Sequence, residues 1–128
     1  MQRDIAKLRL ENAKALIATA KSMIEIGDYK SAANRSYYAV FNAMRAELAL
    51  LKIDHKKHTS VISDFRLKFI KTGIFNTEMS DIITRLFYVR NQSDYNDFYV
   101  ISKEEVTKQT NNAELFVLTI AKHLEQAD

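Results

Sequence analysis

Residues 37–51 read YYAVFNAMRAELALL, and within them Tyr37, Phe41, Met44, Leu48 and Leu51 follow one another at steps of four, three, four and three. That spacing lays the five side chains along one face of an α-helix and makes a bundle seam. Working outward, the helix carrying the seam spans about 29–52, with Asp28 as its N-cap. Before it, residues 3–26 form a first helix with Ile5, Leu8, Leu16, Ala20 and Met23 on a recurring face, stopped by Gly27. After it, the basic link Asp54-His55-Lys56-Lys57-His58 leads to a third helix from Thr59 or Ser60 to Thr72, with Ile62, Phe65 and Phe69 inward and Gly73 as the stop. Asn76 caps a fourth helix. The last one opens on Ser102-Lys103-Glu104-Glu105, a capping box, and repeats the four-three spacing through Val106, Thr110, Ala113, Val117, Ile120 and Leu124.

The 128 residues contain no proline and two glycines, which leaves too little turn punctuation for a sheet protein with many hairpins. The expected class is all-α: one domain over 1–128, built as an up-and-down bundle of four to five helices. With 47% hydrophobic and 27% charged residues the composition is that of an ordinary globular protein. Charges interrupt every apolar run well before the roughly 20 residues of a membrane span, and Met1 is followed by polar residues, so a cytoplasmic location is expected. The absence of cysteine excludes disulfides and thiol nucleophiles. A net charge of +3 favours anionic partners only mildly, so the placement of the cations matters more than their surplus.

Two polar stripes carry the functional expectation. On the fourth helix Met79, Ile82, Ile83, Leu86 and Phe87 form the apolar face, and the same geometry continues onto Arg90, Asn91 and Asp94. Arginine cannot be neutralised by losing its proton, so on a buried stripe it needs a partner or a water-filled cleft. Asp94, one turn on, is the candidate partner; a run of three polar positions points to a cleft. On the second helix Arg35, Tyr38, Asn42 and Arg45 flank the seam at steps of three, four and three. If these two helices are neighbours, Arg35 and Arg90 share one pocket with Tyr38 and Tyr95, a set suited to phosphate and base. His55 and His58 lack a carboxylate-and-histidine set large enough for a metal, and no cofactor is expected. His58 is read as a structural imidazole, or as a base in the pocket, and His123 as a surface residue. Glycine-rich phosphate loops and nucleophile elbows are absent.

Three segments, Ala32-Ala33-Asn34-Arg35-Ser36-Tyr37-Tyr38-Ala39-Val40-Phe41-Asn42-Ala43, His58 to Gly73, and Arg90-Asn91-Gln92-Ser93-Asp94-Tyr95, together resemble the small stand-alone HEPN domain proteins over roughly residues 10–125. The resemblance implies a helical bundle that commonly forms a homodimer, with the polar ends of the fourth helices meeting near a shared cleft. It also implies a minimal nucleotidyltransferase as partner, in a toxin–antitoxin or defence module. Many such domains are metal-independent ribonucleases that use an arginine, a polar residue and, four to six positions after the arginine, a histidine. Arg90 and Asn91 match the first two, whereas Tyr95 stands where the histidine is expected. Histidine titrates near neutrality and suits the removal of a ribose hydroxyl proton, which tyrosine near pKa 10 does not. A base would then come from His58, Asp94 or a second subunit, while Arg90 holds phosphate. Tyr95 and Tyr99 are candidate acceptors of a nucleotidyl group. The leading expectation is a nucleotide- or RNA-phosphate-binding protein using Arg35, Tyr38, His58 and Arg90. A ribonuclease with a degenerate Arg90, Asn91, Asp94, Tyr95 motif is the alternative, and a structural helical module the third.

Overall fold

The structure, a computed structural model, describes residues 1–126. Its elements are α1 (Gln2–Glu25), α2 (Tyr29–Leu50), α3 (His58–Phe65), a π-helical turn (Arg66–Ile70) that continues α3, α4 (Thr77–Tyr95) and α5 (Lys103–Gln126). The fold is an all-α bundle. Helix α2 lies at its centre and packs on α1, α3, α4 and α5.

The local chemistry explains the boundaries. Helix α1 ends in a Schellman motif: Asp28 N–H donates to Met23 O at 2.8 Å and Gly27 N–H to Ile24 O at 3.1 Å, with Gly27 at φ +82°. Asp28 then accepts from Ser31 N–H and starts α2, and Asn76 accepts from Met79 N–H to start α4. Helix α2 ends in the same motif, with Ile53 N–H donating to Leu48 O and Lys52 N–H to Ala49 O. Here the left-handed position falls on Lys52, at φ +61°.

Tyr37, Phe41, Met44 and Leu48 all enter the main core with Ile17, Phe65, Ile83, Leu86, Phe116 and Ile120. Leu51 does not: as the C-cap of α2 it has left the helical register and is half exposed. Leu8 is also exposed, because the buried line of α1 runs through Ala6, Ala13, Ile17 and Ala20. Ala6 packs with Ala46 and Ala49 of α2, where the small side chains let the two backbones approach closely, so small residues rather than large ones mark this interface. Helix α3 begins at His58, not at Thr59 or Ser60, and its last turn widens into the π segment. At the start of α5 Ser102 Oγ accepts from Glu105 N–H, but the Glu105 carboxylate turns to Arg85 and Gln109, which leaves half a capping box.

His123 is not a surface residue. Its Nδ1 lies 2.6 Å from Oε2 of Glu47, which is 1% exposed, and its ring packs edge-on against Phe75. Burial pushes the Glu47 carboxyl above its ordinary value of 4.5, opposed by the charge and hydrogen bond of His123. A raised folded-state pKa means that the folded chain holds this proton more tightly than the unfolded chain. Its contribution is therefore complete below pH 4.5 and is lost as pH rises through the raised value.

Two stability measurements follow. In urea titrations across pH, wild type should lose stability relative to Glu47→Gln as pH rises above 4.5; a constant difference would refute this. Lys52→Gly should stabilise the fold by about 0.5–1 kcal/mol, because it relieves a left-handed residue at a helix end.

Candidate functional site

The buried line of α4 runs Met79, Ile83, Leu86, Val89, Ser93. This corrects the sequence reading, in which the inward stripe passed to Arg90, Asn91 and Asp94: Val89 and Ser93 keep the core position, and the three polar residues occupy the flank that turns towards α2. Arg90 is nonetheless held deeply, with its side chain 12% exposed.

Helix α2 supplies the walls of the Arg90 site. The guanidinium carbon lies 5.3 Å from the centroid of Tyr37, 5.2 Å from that of Tyr38 and 5.5 Å from that of Tyr95, a three-ring cage for a delocalised cation. Arg90 Nη2 donates to Tyr38 Oη at 2.9 Å and Nη1 to Asn91 Oδ1 at 3.0 Å. Arg90 Nε lies 3.0 Å from Asp94 Oδ2 as an ion pair, without the alignment of a hydrogen bond. Asp94 Oδ2 also accepts from Asn34 Nδ2 at 3.1 Å, which ties α2 to α4. Each Nη of Arg90 keeps one N–H uncommitted, and the Tyr38 hydroxyl, having accepted, can still donate. One cation, already positioned, thus offers several donors to an incoming anion.

The first residue of α3 completes the set. His58 stacks on Phe41 at 4.3 Å between centroids, lies 5.6 Å from both Tyr37 and Tyr38, and brings Nδ1 to 2.8 Å from Tyr37 Oη. Burial drives the Tyr37 pKa far upward, and among the described residues its hydroxyl has His58 as its only hydrogen-bond partner. Hydrogen-bond accounting therefore assigns the Tyr37 O–H as donor to Nδ1 and puts the imidazole proton on Nε2. Burial, and secondly the Arg90 charge, hold the His58 pKa below its ordinary value, so the ring is neutral at neutral pH and presents an N–H.

The other expected members are placed differently. Arg35 is not in the Arg90 cage: it donates to Asn34 Oδ1 at 3.4 Å and acts electrostatically on Asp28. Arg45 pairs with Asp54, which also binds Arg9, so it clamps the link before α3. Tyr95 is 74% exposed and covers the Arg90 cation as a ring; its hydroxyl is not where a buried base would sit. Tyr99, in the loop after α4, is half-buried beside Val89, Ile101 and Val106, and burial raises its pKa. Tyr37, read from sequence as part of the core seam, and Asn34, given no role of its own there, are working parts of the site. Asn34 lies one helical turn before Tyr38, which is the signal that could have placed it on the polar flank. No group of three or more metal-ligating side chains occurs among the described residues.

The sequence model of the HEPN domain matches residues 6–124. The chain belongs to the HEPN domain family. A UPF0332 protein of Thermotoga maritima is 32% identical over 88% of this chain and 86% of its own length. Two proteins of Methanocaldococcus jannaschii, each named "Putative toxin", are 32% identical over 97% of the chain and 92% of their own length, and 28% identical over 96% and 83%. No helix among the described residues of this HEPN chain is long and apolar enough to cross a membrane.

The coupling of His58 to Arg90 can be measured. In an NMR titration the His58 ring should protonate below 6.5. Arg90→Gln should raise that midpoint without restoring it fully, since burial is the larger cause. An unchanged midpoint would show that the guanidinium charge does not reach the imidazole.

Proposed function

We propose that this HEPN protein holds an RNA or nucleotide phosphate at Arg90 and is the HEPN member of a toxin–antitoxin-like pair, acting with a minimal nucleotidyltransferase. One observation carries the binding reading: a permanent cation fixed among three tyrosine rings has uncommitted N–H groups beside the Tyr38 hydroxyl, with the His58 imidazole packed on two of the same rings. A fixed fork of donors suits a tetrahedral oxyanion, and the apolar rings around it exclude the water that would otherwise screen the charge. The toxin–antitoxin reading is supported by the names of the two Methanocaldococcus jannaschii relatives. Beside the Arg90 site, Tyr95, Phe98 and Val100 are all largely exposed, Phe98 at 95%, and a second copy of the chain would cover them. Tyr95 carries the more accessible hydroxyl for a nucleotidyl group, since Tyr99 is half-buried. The protein acts in the cytoplasm in this reading.

His58 favours a second reading, metal-independent ribonuclease activity. An imidazole from α3 stands near Arg90, although the α4 motif lacks its histidine. To act as a base, His58 must first exchange its tautomer, with Nδ1–H donating to Tyr37 Oη and Nε2 freed to take a ribose hydroxyl proton. As assigned, the ring is a phosphate donor instead, and this orders the two readings.

Fluorescence anisotropy with a labelled single-stranded RNA tests both. Arg90→Gln should weaken binding about tenfold or more, with circular dichroism unchanged, whereas Tyr95→Phe should bind like wild type. Binding of RNA and nucleotides that ignores Arg90→Gln would overturn the proposal. RNA cleavage in EDTA that disappears in both Arg90→Gln and His58→Gln would put the ribonuclease reading first.

A further inference from the structure

We propose that the groove between α3 and α4 is a second phosphate subsite, centred on Arg66, which takes the continuation of a single-stranded RNA whose first phosphate sits at Arg90. The inference rests on the Arg90 reading and specifies the class of ligand.

Helices α3 and α4 run in opposite directions here. His58, at the start of α3, lies on the tyrosine rings that hold Arg90, while Arg66, at the far end, reaches Ser80 and Thr84. Between these ends lies a groove of about 440 Å³, with Ile62, Ile83 and Phe87 as apolar wall, Thr59 and Ser63 on its lip and Arg66 lining it. It adjoins the first site, because the Phe87 ring meets Tyr37, one of the rings around Arg90, edge-on at 5.7 Å. At 1.5 Å rise per residue, Ser80 and Thr84 lie about 9–15 Å along α4 from Arg90, so the two cations suit two phosphates of one strand rather than a single phosphate.

Arg66 is held as a ligand-binding arginine would be. Its Nε donates to Ser80 Oγ at 2.9 Å, and Nη2 donates to Ser80 O at 3.1 Å and to Thr84 Oγ1 at 2.6 Å. These three acceptors are neutral, and no carboxylate pairs with Arg66 among the described residues. The fork is therefore oriented and uncompensated, with both N–H groups of Nη1 left for an anion. The acids nearby do not pair with it: Asp64 is taken by His55 at 2.5 Å, and Asp81, on the adjoining surface with Thr84, Arg85 and Tyr88, makes no ion pair with Arg66. Arg66 also opens the π turn, an uncommon widening of the helix that recurs at functional sites. An apolar wall between two cations matches an unpaired strand, whose base faces can lie on Phe87 while its phosphates reach the guanidiniums. Bases stacked inside a duplex cannot present those faces.

The test is anisotropy with labelled oligouridylates from one to six nucleotides, with single-stranded DNA of equal length and duplex RNA as further probes. For wild type, affinity should rise by about tenfold or more once the strand is long enough to reach Arg66. Arg66→Gln should abolish that gain and lower the slope of log affinity against log salt by about 0.7, the value for one phosphate of a single strand, while mononucleotide binding stays as in wild type. Ser63→Glu changes an exposed lip residue without touching the core, and should give the same loss if Arg66→Gln fails to fold. A length gain that survives in both variants, or a preference for duplex, would overturn the groove proposal with the Arg90 site intact. Failure of Arg90→Gln to weaken binding of any length would instead remove the Arg90 reading on which it rests.

Discussion

Thirteen of the 22 residues of α2 are buried, among them six alanines, Tyr37, Phe41, Met44 and Leu48. A helix apolar over most of its circumference cannot sit on a surface; it has to be enclosed on several sides. The other helices meet that constraint in different ways. Helix α1 comes close over alanines, α5 covers the side of Ser36, whose hydroxyl pairs with Thr110 at 2.8 Å, and α3 and α4 close the aromatic end. The Asn34–Tyr38 flank is left for polar work, and there the chain holds Arg90.

That cation imposes the second constraint. Arg90 must keep its charge, and at 12% exposure it cannot be fully hydrated. Asp94 compensates it in part, the tyrosine rings offer their negative faces, and Tyr38 and Asn91 accept two of its hydrogen bonds. Compensation that is strong but incomplete is what an anion site requires: the empty site is stable, and an incoming phosphate still finds donors. The same charge helps keep His58 neutral, which suits the imidazole to donating rather than to carrying a second cation into the site.

Much of the fold was legible because helix spacing, caps and stops are local properties. The Asp28 and Asn76 caps, the Gly27 stop and the α5 stripe depend on residues within one turn of each other. The misplacements share a different cause. Leu8 and Leu51 satisfy a periodic pattern, but exposure is decided by which neighbouring helix arrives and where the helix ends. His123 between Lys122 and Leu124 looks superficial until Glu47, 76 residues away, is seen to need a partner. The Arg90 stripe was misdirected by one position, since Val89 and Arg90 are separated by about 100° on a helix and only packing against α2 chooses between them.

For the site the division is equally physical. Residue types and spacing by themselves determined that this is an all-α chain and that Arg90 needs Asp94 or a cleft, and the resemblance to HEPN proteins added that Tyr95 stands where the motif histidine is expected. Each of those conclusions concerns side-chain chemistry or a separation of a few residues along one helix. The tertiary structure alone decided that His58 comes in from α3, that Tyr37 sets its tautomer, that Arg35 stays outside the cage, and that Arg66 faces a groove without a counter-charge. Such pairings join residues 14 to 60 positions apart in the chain. No periodicity encodes them, because they exist only once the packing around α2 has brought separate helices to within hydrogen-bonding distance.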